Sequence, residues 1–164
     1  MKVLVSAATR HGSTADIAAT IVRVMRLRGL DADEIAPQDV DDVTGYDAFV
    51  LGSAVYAGHW LEPATSLVNR CAQQFAERPV WLFSSGPIGQ PPTTGEVPHV
   101  SDLLARTHAR EHRVFSGRLD RDDLELAERD MMRAVRAPDG DYREWPEIVE
   151  WAAEIADSLV SIER

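Results

Sequence analysis

A short loop rich in hydroxyl and amide groups, residues 9–14, is the first feature of the sequence that could do chemistry. It follows an apolar segment at 1–8 and precedes a stretch with helical periodicity. Such a loop offers backbone N–H groups, Ser and Thr hydroxyls and the positive end of a helix dipole, which together bind anions. The sequence therefore predicts a phosphate site here. The alternative is a simple helix N-cap, in which Ser13 or Thr14 satisfies the first amides.

Two further loops have compositions that suit a flat ligand. The second loop, residues 53–60, holds Tyr56, His59 and Trp60 close to a glycine, and this clustering of rings exceeds what packing alone requires. The third loop, residues 84–89, has small residues and a proline, so its backbone can approach the edge of a ligand closely. Together they predict a place where a planar molecule stacks.

Alternating apolar and amphipathic segments predict the elements that position these loops. Strands are predicted at residues 1–8, 32–36, 48–53, 80–84 and 113–116, and helices at 14–28, 63–77, 100–109 and 146–162. This alternation is typical of an α/β fold with a parallel sheet, right-handed crossovers and helices on both faces. In such sheets ligands gather at the carboxyl ends of the strands, where all three loops begin. Residues 119–136 predict one extra helix outside the alternation.

Composition limits the classes of function. The 164 residues predict a single domain, 1–164, and the formal charge of −10 argues against a nucleic-acid binder. One cysteine, Cys71, excludes an internal disulfide. No apolar run is long enough to span a bilayer, and no leader precedes the first strand, so we expect a cytoplasmic protein. Peripheral membrane contact and the oligomeric state stay open.

One other motif has a chemical interpretation. His108, Glu111 and His112 match the spacing His-x-x-Glu-His of one class of zinc peptidase. Zinc binding requires both histidines on one helical face, whereas this motif runs into the predicted fifth strand. We therefore expect no metal site there.

The phosphate loop followed by two loops that can bracket a ring resembles the FMN site of the flavodoxin-like family, and the resemblance covers nearly the whole chain. It implies a three-layer sandwich whose five-stranded parallel sheet has the order 2-1-3-4-5, with FMN as cofactor. Within the family, the chain is similar to the menaquinone-dependent protoporphyrinogen dehydrogenases. The motifs that carry this similarity are Thr9-Arg10-x-Gly12-x-Thr14, Tyr56-x-Gly58-His59 and residues 115–119.

The resemblance implies contacts between FMN and all three loops. The expected cofactor residues are Thr9, Arg10, His11, Gly12, Ser13, Thr14, Ser53, Tyr56, Ala57, Gly58, His59, Ser84, Ser85, Gly86 and Pro87. We expect Tyr56 or Trp60 to lie against one face of the ring. The peptide between Ala57 and Gly58 is expected to accept a hydrogen bond from the reduced ring, since glycine tolerates positive φ. The acidic chain should lower the reduction potential.

Three functions remain open at this point. The first is an FMN oxidoreductase with a small-molecule substrate, and the second is an electron carrier that serves protein partners. The segments 86–98 and 119–141 favour the enzyme, because a bare carrier needs no cover over its flavin. The acidic residues of 118–143 could attract a basic redox partner, although a solvated helix is the simpler interpretation. The third is a binding module with a degenerate site.

Overall fold

The chain alternates strands and helices along its length in a computed structural model that describes residues 1–56, 58–86, 100–116, 118–119, 140–141 and 143–163. The strands are β1 (Lys2–Ala8), β2 (Asp31–Glu34), β3 (Ala48–Tyr56), β4 (His59–Trp60), β5 (Val80–Ser85), β6 (Glu111–Phe115), β7 (Arg118–Leu119) and β8 (Gly140–Asp141). The helices are α1 (Ser13–Leu27), α2 (Glu62–Arg70), α3 (Ala72–Ala76), α4 (Val100–Thr107) and α5 (Trp145–Glu163), with a 3₁₀ turn at Pro37–Asp39.

Five strands form a parallel sheet in the order β2-β1-β3-β5-β6. Counted along the chain without the short β4, this is the predicted order 2-1-3-4-5, so the fold class is confirmed. The short β4 adds an antiparallel hairpin to the end of β3. A separate antiparallel pair joins β7 and β8.

Two hydrophobic cores lie on opposite faces of the sheet. On one face, Val3 and Val5 of β1 pack with apolar residues of α1 and α5. On the other face, Leu4 packs with residues of α2, α3 and α4. Because β1 is buried on both faces from Val3 to Ala8, its sequence is mostly apolar and shows no alternation. Helices therefore cover both sides, as the alternation of segments predicts.

Several predicted boundaries differ from the structure. The helix predicted at 63–77 is two helices, because Cys71 leaves helical geometry with φ −119° and ψ 19°. The third strand continues past Ser53 to Tyr56, since its last residues pair with β4. The last strand of the sheet begins at Glu111 rather than at Arg113. The extra helix predicted at 119–136 lies outside the described residues except for Leu119, which belongs to β7.

Replacing Gly52 with alanine should destabilise the fold by about 1–3 kcal/mol, the usual cost of overpacking a core. A Cβ at Gly52 would lie 2.3 Å from Cζ of Phe83. That ring packs edge-on against Trp151 with centroids 6.0 Å apart, so it has little room to move. Urea unfolding measures the change. Gly45→Ala is the control, because nothing lies within 4 Å of its added Cβ. Equal unfolding free energies for the two variants would contradict this account.

Candidate functional site at the carboxyl edge of the sheet

The parallel register brings the ends of three strands together. Ala8 of β1 pairs with Ser53 of β3, which in turn pairs with Ser84 of β5. The three loops that the sequence singles out therefore leave the sheet side by side. Each loop contains a glycine with positive φ: Gly12 at 86°, Gly58 at 80° and Gly86 at 91°. Residues that carry a side chain rarely adopt a positive φ, so these three turns depend on glycine.

The first loop ends in a helix N-terminus that has no side-chain cap in the described part of the chain. Gly12 is the N-cap residue, and Ser13 is the first residue of α1. The backbone N–H of Gly12 donates instead to Oγ1 of Thr9, at 2.9 Å. The interpretation of Ser13 or Thr14 as a simple N-cap is therefore wrong. The first amides of a helix lack acceptors within the helix, and anions such as phosphate bind at helix N-termini in general.

Arg143 joins the first turn of α1 to the region just before α5. Its side chain is only 7% exposed, and Nη1 lies 3.0 Å from Oδ2 of Asp16. The same nitrogen donates to the carbonyl of Ser13 at 3.4 Å, and the guanidinium lies 4.6 Å from the ring centroid of Trp145. This pairing offsets the charge of Asp16 beside the loop. Sequence reasoning missed Arg143, which it placed in a solvated charged stretch.

A contact between Arg10 and Tyr56 connects the first loop to the second. The guanidinium carbon of Arg10 lies 4.4 Å from the ring centroid of Tyr56, within the range of a cation–π interaction. Tyr56 is half-buried and Arg10 is exposed. The aromatic ring thus lies beside the first loop, and the guanidinium of Arg10 lies over it.

Trp60 does not offer its ring to a ligand. It is 6% exposed and belongs to the core beneath the hairpin. Its indole N–H donates to Oγ of Ser84, at 2.8 Å. Of the two rings expected to stack on a cofactor, Tyr56 is the one at the surface. The hydroxyl of Ser53 is also used internally, because it accepts from the backbone N–H of Leu61 at 2.9 Å and donates to the carbonyl of Ala54.

Ser84 connects Trp60 to a histidine that sequence reasoning considered only as a metal ligand. Its Oγ lies 2.7 Å from Nε2 of His112. An indole N–H can only donate, so Ser84 accepts from Trp60. The direction of the bond between Ser84 and His112 depends on the tautomer of His112. When His112 is neutral with its proton on Nδ1, Nε2 accepts the hydroxyl proton of Ser84. Burial lowers the pKa of His112, which favours the same neutral ring.

The His-x-x-Glu-His motif spans the turn after a helix and the start of a strand. The helix α4 ends at Thr107, and His112 lies in β6, so His108 and His112 share no helical face. Within the residues that the structure describes, no group of three His, Cys, Asp or Glu side chains could hold a metal ion.

The other predicted site residues lie around the same edge. His59 is exposed on β4, His11 is half-buried in the first loop, and Thr14 is 1% exposed inside α1. Ser85 is buried at the end of β5, and the N–H of Gly86 donates to the carbonyl of Phe115 at 2.8 Å. Ala57 and Pro87 lie outside the described residues. In the part of the chain described, no helix has the length and hydrophobicity needed to cross a membrane.

Comparison with known proteins identifies the family. Residues 4–145 match the flavodoxin domain. The chain belongs to the flavodoxin domain family. Flavodoxin domains bind FMN, and flavodoxins exchange electrons with protein partners.

The chain is also similar to individual members and structures. It is 23% identical over 172 residues to the protoporphyrinogen IX dehydrogenase [quinone] of Escherichia coli K12, with 95% of each chain covered. A flavodoxin from the domain Archaea superposes with a TM-score of 0.64 at 15% identity, covering 96% of this chain and 98% of the other. The flavodoxin of Streptococcus pneumoniae TIGR4 gives 0.61 at 16% identity, with 98% and 99% covered. These superpositions confirm the flavodoxin fold.

The stability of the protein should fall more steeply in mild acid than that of a His112→Gln variant. The folded state holds the pKa of His112 below its ordinary value of 6.5. The unfolded chain therefore binds more protons than the folded chain as the pH drops below about 6.5, and stability decreases. Urea unfolding at pH 7.5 and pH 5.5 for both proteins measures the difference. Equal losses in the two proteins would show that His112 titrates normally when folded.

Proposed function

We propose that this protein binds FMN and uses it as an oxidoreductase on a small-molecule substrate. The observation that carries the proposal is the uncapped N-terminus of α1 at Gly12, which lies on the same sheet edge as the aromatic ring of Tyr56. A phosphate acceptor and a stacking ring are the two features that an FMN site needs. Membership of the flavodoxin domain family supports the same cofactor.

The residues of the first loop have the donors that a phosphomonoester requires. Thr9, Ser13 and Thr14 supply hydroxyls, and the first turn of α1 supplies backbone amides. The left-handed conformation of Gly12 turns the chain into the helix at this point. The loop contains no acidic residue, so nothing within it repels a dianion. The residues present therefore fit the phosphate of FMN.

The second and third loops would hold the ring. Tyr56 supplies an aromatic face, and Gly58 and Gly86 have no side chain, so their backbone would allow a ring to approach closely. The turn at Gly58 is also consistent with the proposed role of its peptide in accepting a hydrogen bond from the reduced ring. FMN, when bound, supplies the redox chemistry, and the protein orients it.

The choice between an enzyme and a carrier rests on the relatives. The Escherichia coli relative, which matches over 95% of its own length, is named a protoporphyrinogen IX dehydrogenase [quinone]. This favours an enzyme that transfers electrons from a porphyrinogen to a quinone. The second candidate is a carrier, because the flavodoxins with the same fold exchange electrons with proteins.

Removing the Thr9 hydroxyl should weaken FMN binding by about three- to thirtyfold, on the scale of one or two hydrogen bonds. Thr9→Val deletes the acceptor that holds Gly12 and one donor toward the phosphate. Riboflavin has the same ring without the phosphate, so its affinity should change little. Flavin fluorescence titration measures both ligands.

A matched control for Thr9→Val is Thr65→Val, which removes a hydroxyl that donates to the carbonyl of Glu62 within α2. It should leave both affinities at the parental value. If Thr9→Val weakened riboflavin as much as FMN, the first loop would not be the phosphate site. A parent protein that bound neither flavin would refute the cofactor assignment.

The purified holoprotein should oxidise a porphyrinogen with a soluble quinone as the acceptor and without any added protein. Each porphyrinogen gives six electrons and six protons on becoming a porphyrin, so three quinones are reduced to quinols. The porphyrin absorbance band and quinone consumption measure the two halves of the reaction. Turnover in that assay supports the enzyme. Electron transfer only to added acceptor proteins would instead support the carrier.

A further inference from the structure

The hairpin of β3 and β4 carries Tyr56 and Gly58 toward the proposed FMN ring, but its own strand pairing is short. Only two residue pairs join the strands, Val55 with Trp60 and Tyr56 with His59. A two-stranded ribbon of this length is not stable by itself. The position of its tip must therefore be fixed by contacts with the rest of the sheet.

Two hydrogen bonds, one partly buried and one buried, supply such contacts. The backbone N–H of Leu61 donates to Oγ of Ser53, which fixes the exit of the hairpin to β3. The indole N–H of Trp60 donates to Oγ of Ser84, which fixes the hairpin to β5, and Oγ of Ser84 is also hydrogen-bonded to Nε2 of His112 on β6. Ser84 is fully buried, so water does not compete for these groups.

We propose that Ser84 and His112 are positioning residues for the second loop, acting through Trp60. This inference rests on the proposed function, and it assigns to Ser84 a role beneath the flavin rather than in contact with it. His112 orients the Ser84 hydroxyl, and Ser84 fixes the indole of Trp60. Trp60 pairs with Val55, next to Tyr56, so a tilt of the indole moves the aromatic ring that faces FMN.

The hydrogen-bonding roles of Trp60, Ser84 and His112 are not interchangeable. Trp60 can only donate, so Ser84 accepts from it, and with His112 neutral and protonated on Nδ1 the single proton of Ser84 goes to Nε2. If either Ser84 or His112 loses its acceptor atom, a buried donor stays unpaired. The indole or the hydroxyl then has to turn away to find another partner.

If Trp60, Ser84 and His112 served only to stabilise the fold, their substitution would change stability but not FMN binding. A second hydrogen bond on β6 provides the control for this distinction. The indole N–H of Trp151 donates to Oε2 of Glu111, at 3.1 Å, one residue before His112 and on the opposite face of the sheet. Trp151→Phe therefore removes the same kind of hydrogen bond from the same strand without touching the hairpin. It is the matched control for Trp60→Phe.

The experiment compares Trp60→Phe, Ser84→Ala and the double variant with the parent and with Trp151→Phe. For each full-length protein, FMN titration gives the Kd, the visible spectrum of bound FMN reports the ring environment, and urea unfolding of the flavin-free protein gives stability. We expect Kd to rise about three- to tenfold in both single variants, on the scale of one hydrogen bond, with a shifted flavin band. The double variant should resemble the single ones, because both break the same link.

His112 is tested with a pair of substitutions. His112→Gln keeps an acceptor for the Ser84 hydroxyl and should retain the parental Kd and flavin spectrum. His112→Leu removes the acceptor and should behave like Ser84→Ala. Trp151→Phe should lose stability and leave both flavin measurements unchanged.

The outcomes separate this inference from the proposed function. If the parent binds FMN and the variants at 60 and 84 match Trp151→Phe in Kd and spectrum, the positioning role is overturned and the cofactor assignment stands. If His112→Gln folds normally but does not retain the parental Kd and flavin spectrum, the role of His112 is overturned. A parent that binds no FMN overturns both claims.

Discussion

The parallel pairing of Ala8, Ser53 and Ser84 is the constraint on which the site depends. It places the ends of three central strands side by side, so three loops that are distant in sequence share one edge. Both faces of these strands are buried, and a slip of one residue would exchange the core-facing side chains of the two faces. The register is therefore held by the two cores. The loops can use glycines with positive φ and an uncapped helix end because the sheet beneath them is fixed.

The strands and helices that carry strong patterns could be predicted from the sequence. β1 and β5 are mostly apolar, and α1 has clear helical periodicity, since burial sets the residue types there. The first residue of β6 is harder to predict from the sequence, because the strand begins with polar residues. Glu111 and Arg113 occupy strand positions through an ion pair with each other, at 2.7 Å, rather than through apolar burial. The extension of β3 depends on pairing with β4, which local residue preference does not specify.

Part of the site consists of residues that are adjacent in the sequence, and part consists of residues that only the fold brings together. The first loop could be predicted because its donors are adjacent in sequence and begin a helix. Trp60, Ser84 and His112 meet across separations of 24 and 28 residues, and Arg143 reaches the carbonyl of Ser13 across 130, so spacing gives no signal. The sequence also does not indicate whether an aromatic side chain in a loop points to the surface or into the core. Tyr56 and Trp60 lie four residues apart, yet one is half-exposed and the other is in the core.

The net charge of the protein repels anions at long range, whereas the groups of the first loop attract them at short range. The chain as a whole has a charge of −10, which repels an anionic ligand at a distance and attracts a cationic partner. The first loop contains Arg10 and His11 and no acid, and the acid nearest to it in sequence, Asp16, is paired with Arg143. Salt screens exposed charges beyond about 8 Å at physiological ionic strength, so the long-range repulsion is weak there, whereas hydrogen bonds from amides and hydroxyls act at contact. For the proposed phosphate site, the local donors therefore outweigh the long-range repulsion by the net charge of the chain.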